Sequence, residues 1–359
     1  MKFNKTICGS AAALFFAVSG AAEAYTLITC NGNNIRWNGT SATMRASSVG
    51  FPSGSSWRSA LGNSISLVNQ NPSAFDYGIV YGDTSVGFNN GQNEIWWSNG
   101  FGAPAIANWW MNCNTGRFTE VDIRFDNTVA YTTSNSKSVL WPYGGGSRPF
   151  RTTAIHELGH GVGLSHTAST YSVMGQDWDH IHANGSSARA YFGEDASSGA
   201  VALYGNNPGN VQDLGVSQWR RTGASGEYST HSRTRIRTSG GGWVSSSTVN
   251  GEPRYNVNKG QQYLAEFSYE NNGESYQTTE VGYFISTNDY ISTGDRRIGG
   301  RNGMGLGRNT VFTYQAPVTI PADLVSGQTY WLGVIIDEDS TLSEVTETNN
   351  RTYISIRVN

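Results

Sequence analysis

Three of the six histidines in this 359-residue chain fall inside one window of eleven residues. The window reads His156-Glu157-Leu158-Gly159-His160-Gly161-Val162-Gly163-Leu164-Ser165-His166. That spacing restricts what the segment can become. On a helix each residue advances ~100°, so His160 lies ~40° from His156 and the two imidazoles share a face. Ile155, Leu158 and Val162 gather at ~200–260° on the far side, an apolar stripe able to dock on a core. Glu157, at ~100°, stands beside the histidine pair without joining it. Glycine accepts positive φ, so Gly163 lets the chain leave the helix about one turn after His160. His166 can then return to the same point as a third ligand. Three nitrogens and an open fourth position are the donor set of a catalytic zinc. A core helix with incidental histidines accounts for the apolar stripe but not for the Glu, the Gly and the third His. Three imidazoles beside a carboxylate favour zinc over copper or iron, though spacing alone does not choose the metal.

The rest of the chain says where such a site would work. Length allows two domains, each with a sizeable core. Formal net charge is -3 and only 14% of residues are charged, so neither a nucleic acid nor an anionic membrane is implied as partner. The first 24 residues have the plan of a secretory signal peptide. Lys2 and Lys5 precede a short apolar run from Ala11 to Val18, and Ala22-Glu23-Ala24 is a small-residue cleavage site. The expected mature chain starts at Tyr25, is secreted, and has no membrane span. Cys8 would leave with the signal. Cys30 and Cys113 remain, an even pair in an oxidising compartment, and a disulfide between them is expected. It would close a loop worth ~4–5 kcal/mol in the chain-entropy view. The rival is a latency switch with Cys30 on the zinc, which would strand Cys113.

Period and turn chemistry divide the chain further. Trp57 to Gln70 has helical spacing, with Trp57, Leu61, Ile65 and Val68 on one side. Strands are expected at Tyr77 to Tyr81, Asn93 to Trp97, Ala103 to Met111 and Thr119 to Phe125. In the last of these Val121, Ile123 and Phe125 alternate with Asp122 and Arg124. The helix carrying the histidines follows a Gly-rich loop at Gly144 to Gly146, with Thr152 or Thr153 as its expected cap. Met174 lies eight residues past His166 and suits an apolar floor beneath the site. A last helix is expected at Glu194 to Tyr204. Residues 206–212 look like a linker. Beyond them the pattern turns to period two: Tyr263, Ala265, Phe267 and Tyr269 share a face, as do Ile354, Ile356 and Val358.

These residues support two resemblances. Residues 25 to about 205 resemble the metzincin proteases, and among them the matrixins. The carriers are His156, Glu157, His160, Gly163, His166, Met174 as the Met-turn, Thr167 after the third ligand, and the closing Glu194-Asp195, Gly199 and Leu203-Tyr204-Gly205. The sequence departs from matrixins in having no histidine between Tyr25 and His156 for a second, structural zinc, and in lacking the inhibitory cysteine pro-segment. Gln176 stands where astacin-type enzymes place a tyrosine. Residues 213–359 resemble a bacterial cell-adhesion-related β-sandwich through Val281 to Ser286, Val318 to Pro321, Trp331 to Val334 and Glu344 to Asn350. The resemblances imply an α+β zincin domain (25–205), a twisted mixed sheet with an active-site helix, followed by an all-β immunoglobulin-like sandwich (213–359) with a binding or spacer role.

The expected function is a secreted zinc endopeptidase. His156, His160 and His166 hold one catalytic ion, and Glu157 is the general base for the attacking water. The substrate is a protein or peptide, extended along an edge strand for which Ala103 to Met111 is the candidate. The loop from Gln176 to Tyr191 should wall the pocket. A cell-surface or extracellular-matrix ligand is the partner class for the second domain. Calcium is compatible but has no assigned position. His180 and His182 read as solvated loop residues rather than a second metal site, and Asp337-Glu338-Asp339 with Glu344 and Glu347 as a solvated acidic loop. Two other readings stay open: a secreted adhesin with a non-catalytic zinc site, and a hydrolase acting on cell-wall peptides.

Overall fold

The computed structural model describes residues 25–167, 172–175, 181–209, 211–220 and 232–359. The expected signal segment, Tyr171, Gln176 and His180 therefore lie outside the described residues.

The first unit is built on a mixed five-stranded sheet. Its strands are β1 (Ser41–Ser47), β2 (Asp76–Asp83), β3 (Asn93–Ser98), β4 (Ala105–Asn112) and β5 (Arg117–Asp126), in spatial order β2-β1-β3-β5-β4. β1 runs parallel to β2 and β3, and β3 parallel to β5. Only β4 is antiparallel, and it closes one edge. Two helices, α1 (Ser56–Asn69) and α2 (Phe150–Val162), share one core with the sheet. Leu61, Ile65 and Val68 of α1, Val121, Ile123 and Phe125 of β5, and Ile155, Leu158 and Val162 of α2 are all buried there. The alternation legible in β5 puts its apolar set on that face. Ser55 caps α1, its side chain accepting from Arg58 N.

α2 starts differently from expectation. It begins at Phe150, behind an extended Pro149, and neither Thr152 nor Thr153 caps it. Thr152 Oγ1 instead donates back to Pro149 O at 3.0 Å, and Thr153 Oγ1 accepts from Arg148 Nε. Pro149, extended at φ -70° and ψ 114°, leads the chain into the helix without a side-chain cap.

After α2 come a hairpin, β6 (Ile181–Asn184) and β7 (Ser187–Ala190), and then α3 (Glu194–Tyr204), whose first turn carries Glu194 and Asp195. Residues 206–212 are pinned at both ends. Asn207 N donates to Pro72 O, while Gln212 O and Val211 O accept from Val345 N and Glu274 N in the second unit.

That second unit has no helix among its described residues. One sheet sets β8 (Leu214–Ser217) and β9 (Ile236–Thr238) on one side of β12 (Gln262–Asn271), with β15 (Thr310–Thr319) on the other. The second sheet has the order β10-β11-β17-β16-β13-β14, where β10 is Ser246–Val249, β11 Glu252–Val257, β13 Gln277–Ser286, β14 Arg296–Leu306, β16 Thr329–Ile336 and β17 Arg351–Val358. Val216, Phe267 and Tyr269 from the first sheet meet Tyr283, Val334 and Ile356 from the second in a shared core. No helix among the described residues is long and apolar enough to cross a membrane.

The acidic loop expected to be solvated is partly internal. Asp337 is buried, its Oδ1 accepting from Thr341 N and its Oδ2 from Leu342 N. Glu344 Oε2 accepts from Asn350 Nδ2. These carboxylates cap a turn.

Candidate metal centre

α2 brings His156 and His160 to one face, and Gly163 turns the chain out. Gly163 ends the helix at φ 119°, its N–H reaching the carbonyls of Gly159 and His160. A Cβ at this position would lie 2.5 Å from Ile35 O and 2.8 Å from Leu203 Cδ1. The residues that follow, Leu164–Ser165, pair antiparallel with Thr26–Leu27, and Ile28 N donates to Gly163 O. Residues 26–28 therefore hold the segment that carries His166. The Cys30–Cys113 disulfide, Cα atoms 5.1 Å apart, ties the same stretch to the turn between β4 and β5.

The three rings converge. His166 Nε2 lies 3.1 Å from His156 Nε2 and 3.0 Å from His160 Nε2. The outer nitrogens of the helical pair face main-chain carbonyls: His156 Nδ1 meets Val173 O at 2.6 Å, and His160 Nδ1 meets Leu164 O at 2.8 Å. A carbonyl can only accept, so each Nδ1 carries the proton and each Nε2 turns a lone pair inward. Burial, then the neighbouring His156 and His166, hold His160 well below the ordinary histidine range, in its neutral form. Inward lone pairs on neighbouring imidazoles repel unless a cation sits between them. The donor set fits a zinc ion.

Met174 is buried in the turn Ser172–Gly175 that also supplies the Val173 carbonyl. It packs against α2 at Gly159, where any Cβ would collide with its Sδ. That glycine was not singled out from the sequence, because its need arises only when Met174 returns beneath the helix. Two further supports were equally silent: Tyr77 Oη donates to Leu158 O at 2.8 Å, and Trp37 Nε1 to Gly161 O at 2.8 Å.

A cleft of about 630 Å³ opens over the histidines. Glu157 lines it together with Thr153, Arg148 and the stretch Gly102 to Ala107 leading into β4. β4 is an edge strand, as expected of the segment beginning near Ala103. Trp109 of β4 packs near the His160 ring, centroids 5.6 Å apart. His182 lies away from this cleft. Its Nε2 is 3.5 Å from Glu270 Oε1 with both side chains 1% exposed, so it is a buried residue between the two units and not a solvated one.

A second feature escaped the sequence reading. Glu94, Glu120 and Asp122 are all buried near one another at the start of β3 and in β5. The loop from Gly87 to Gly91 bends over them: Gly87 N donates to Glu94, and Asn90 N and Gly91 N to Glu120. Burial, then the adjacent Glu120, pushes the Asp122 carboxyl up to about 8. The folded state therefore holds a proton that the unfolded chain releases near pH 4. The resulting stability is full below that pH and is lost as pH rises through about 8. The melting temperature in metal-free buffer should fall between pH 5 and pH 9, and Asp122→Asn should flatten the fall. An unchanged slope in the variant would rule the assignment out.

Residues 82–205 match the matrixin family model. The match covers β3 to α3 of the matrixin-like unit, including the three histidines, Glu157 and Met174, and it supports a metalloprotease. No curated protein matches the sequence. Among solved structures, the chain is similar to the CARDB domain of a Pyrococcus furiosus protein in complex with di-metal ions, at 15% identity and TM-score 0.26, covering 42% of this chain and 90% of that one. It is also similar to a solution structure of the same domain, at 17% identity and TM-score 0.26, covering 42% and 96%.

Proposed function

We propose that the chain is a secreted zinc-dependent endopeptidase, with residues 25–205 as its catalytic domain and 213–359 as an immunoglobulin-like sandwich joined to it. The observation that carries this is the meeting of three Nε2 atoms, each within 4.8 Å of the others, beside Glu157 in a cleft bordered by an edge strand. His156, His160 and His166 would hold the ion. Zinc in such a site supplies a Lewis acid and a water acidified toward neutrality.

The chain's own residues do the rest. The carbonyls of Val173 and Leu164 keep His156 and His160 in the ligating tautomer. The outer edge of β4 offers main-chain groups to an extended peptide, which would add as a further strand. Glu157, 5% exposed, accepts a proton from the attacking water and delivers it to the leaving amine.

Metal removal tests the reading. The full chain, incubated with a denatured protein substrate, should cut internal bonds, stop on chelation and resume when zinc is restored at one ion per chain. Cleavage that persists in the metal-free protein would exclude it. Mapping the cut sites on a peptide library would define the side chains accepted on either side of the bond.

A further inference from the structure

The second unit grips the first along one continuous run of residues. Trp219 Nε1 donates to Ile181 O at 2.7 Å. His182 faces Glu270 in the buried pair already described. Thr352 Oγ1 donates to Ala183 O at 3.0 Å. Asn184 bonds the main chain of Ile291 in both directions, donating to its O at 3.0 Å and accepting from its N at 2.6 Å. Gly185 N donates to Asp289 O at 2.7 Å. Every residue from 181 to 185, the β6 arm of the hairpin and the start of its turn, thus has a partner in the second unit.

The opposite side of the hairpin faces the metal helix. Lys137 N donates to Ser186 O, and Ala188 N to Asn135 O. Ile181, Ala188 and Ala190 border a small cavity with Phe150 and Thr152, in the first turn of α2. Phe192, just past the hairpin, comes close to Gly159, where Met174 also packs. The hairpin is thus a wedge with the second unit on one side and α2 on the other.

A module meant only to tether or recognise would leave the polar edge of β6 to water. Here that edge is desolvated and hydrogen-bonded residue by residue, which sets its position to within the tolerance of a hydrogen bond. We propose that the second unit is a positioning element of the metal centre. It fixes hairpin 181–190 and, through it, the first turn of α2 and the Met174 turn, at the geometry in which Glu157 reacts. Trp219, Thr352 and Asn184 are then positioning residues for a reaction they do not touch. The proposal rests on the protease reading.

The test uses full-length protein. Thr352→Val deletes one donor to the hairpin and keeps the side-chain shape, Trp219→Phe deletes another and keeps an aromatic ring in the buried site, and the double variant combines them. Reaction geometry misplaced by a fraction of an ångström loses about tenfold in rate. In the double variant, kcat should fall about tenfold with KM unchanged and zinc still at one per chain. Amide hydrogen exchange should accelerate across 181–190 while residues 158–162 keep their protection. Arg296→Ala, which removes an exposed pair with Asp323 and none of the bonds to the hairpin, should change none of these. Faster hairpin exchange with wild-type kcat would overturn the proposal, as would unchanged hairpin exchange or a loss of kcat that merely tracks a loss of zinc. Wild-type protein that binds zinc and cleaves nothing would overturn the protease reading as well. Active wild type with indifferent variants overturns this proposal alone.

Discussion

Glu157→Gln should leave zinc in place and reduce peptide cleavage by about 10²–10⁴-fold, the contribution of a positioned general acid–base group. Gln keeps the length and planar end of the side chain, so the buried pocket at this position stays filled. It cannot accept the water's proton at any working pH. The three histidines are untouched, and their carbonyl partners at Val173 and Leu164 keep them oriented. The loss should therefore appear in kcat, with KM changing little. Metal analysis and single-turnover kinetics on the same preparation check it. A variant that cleaves within a few-fold of wild type would assign the proton transfer elsewhere, and one that loses its zinc would make Glu157 part of the ligand frame.

Gly163→Ala should destabilise the first unit and displace His166 together. The residue sits at φ 119°, where an L side chain costs ~1–3 kcal/mol in strain. Its Cβ would also enter the space of Ile35 O, at 2.5 Å, and Leu203 Cδ1, at 2.8 Å, and forced overpacking adds ~1–3 kcal/mol. Together, at ~2–6 kcal/mol, these are a large share of the ~5–15 kcal/mol margin that keeps a domain folded. Relief of the clash can come only by shifting the turn, which moves Leu164–Ser165 and with them His166. Denaturant unfolding should show the loss of stability, and chelator competition should show weaker zinc binding even in the fraction that folds. Wild-type stability together with wild-type zinc affinity would mean that this bend does not set the third ligand.

Much of the first unit could be read in advance because its signals are local and periodic. α3 matches Glu194 to Tyr204 residue for residue, and α1 differs from expectation by one residue at each end. β5 was legible because apolar and polar residues alternate along it. The start of α2 was misjudged because threonine is a common cap, whereas the helix begins two residues before Thr152, behind an extended Pro149 and without a side-chain cap. His182 was misjudged for another reason. Nothing near it in sequence says that Glu270, 88 residues later, comes to meet it.

The histidine spacing and Gly163 were sufficient by themselves to specify that three imidazole nitrogens converge, because one helix and one bend impose that geometry. Only the tertiary structure decided what holds the site: Val173 and Leu164 orienting the rings, Gly159 yielding to Met174, the N-terminal strand pinning the segment that carries His166, and a second unit clasping hairpin 181–190. These are contacts between residues far apart in the chain. They depend on how two cores pack together, which periodicity within a single segment does not encode.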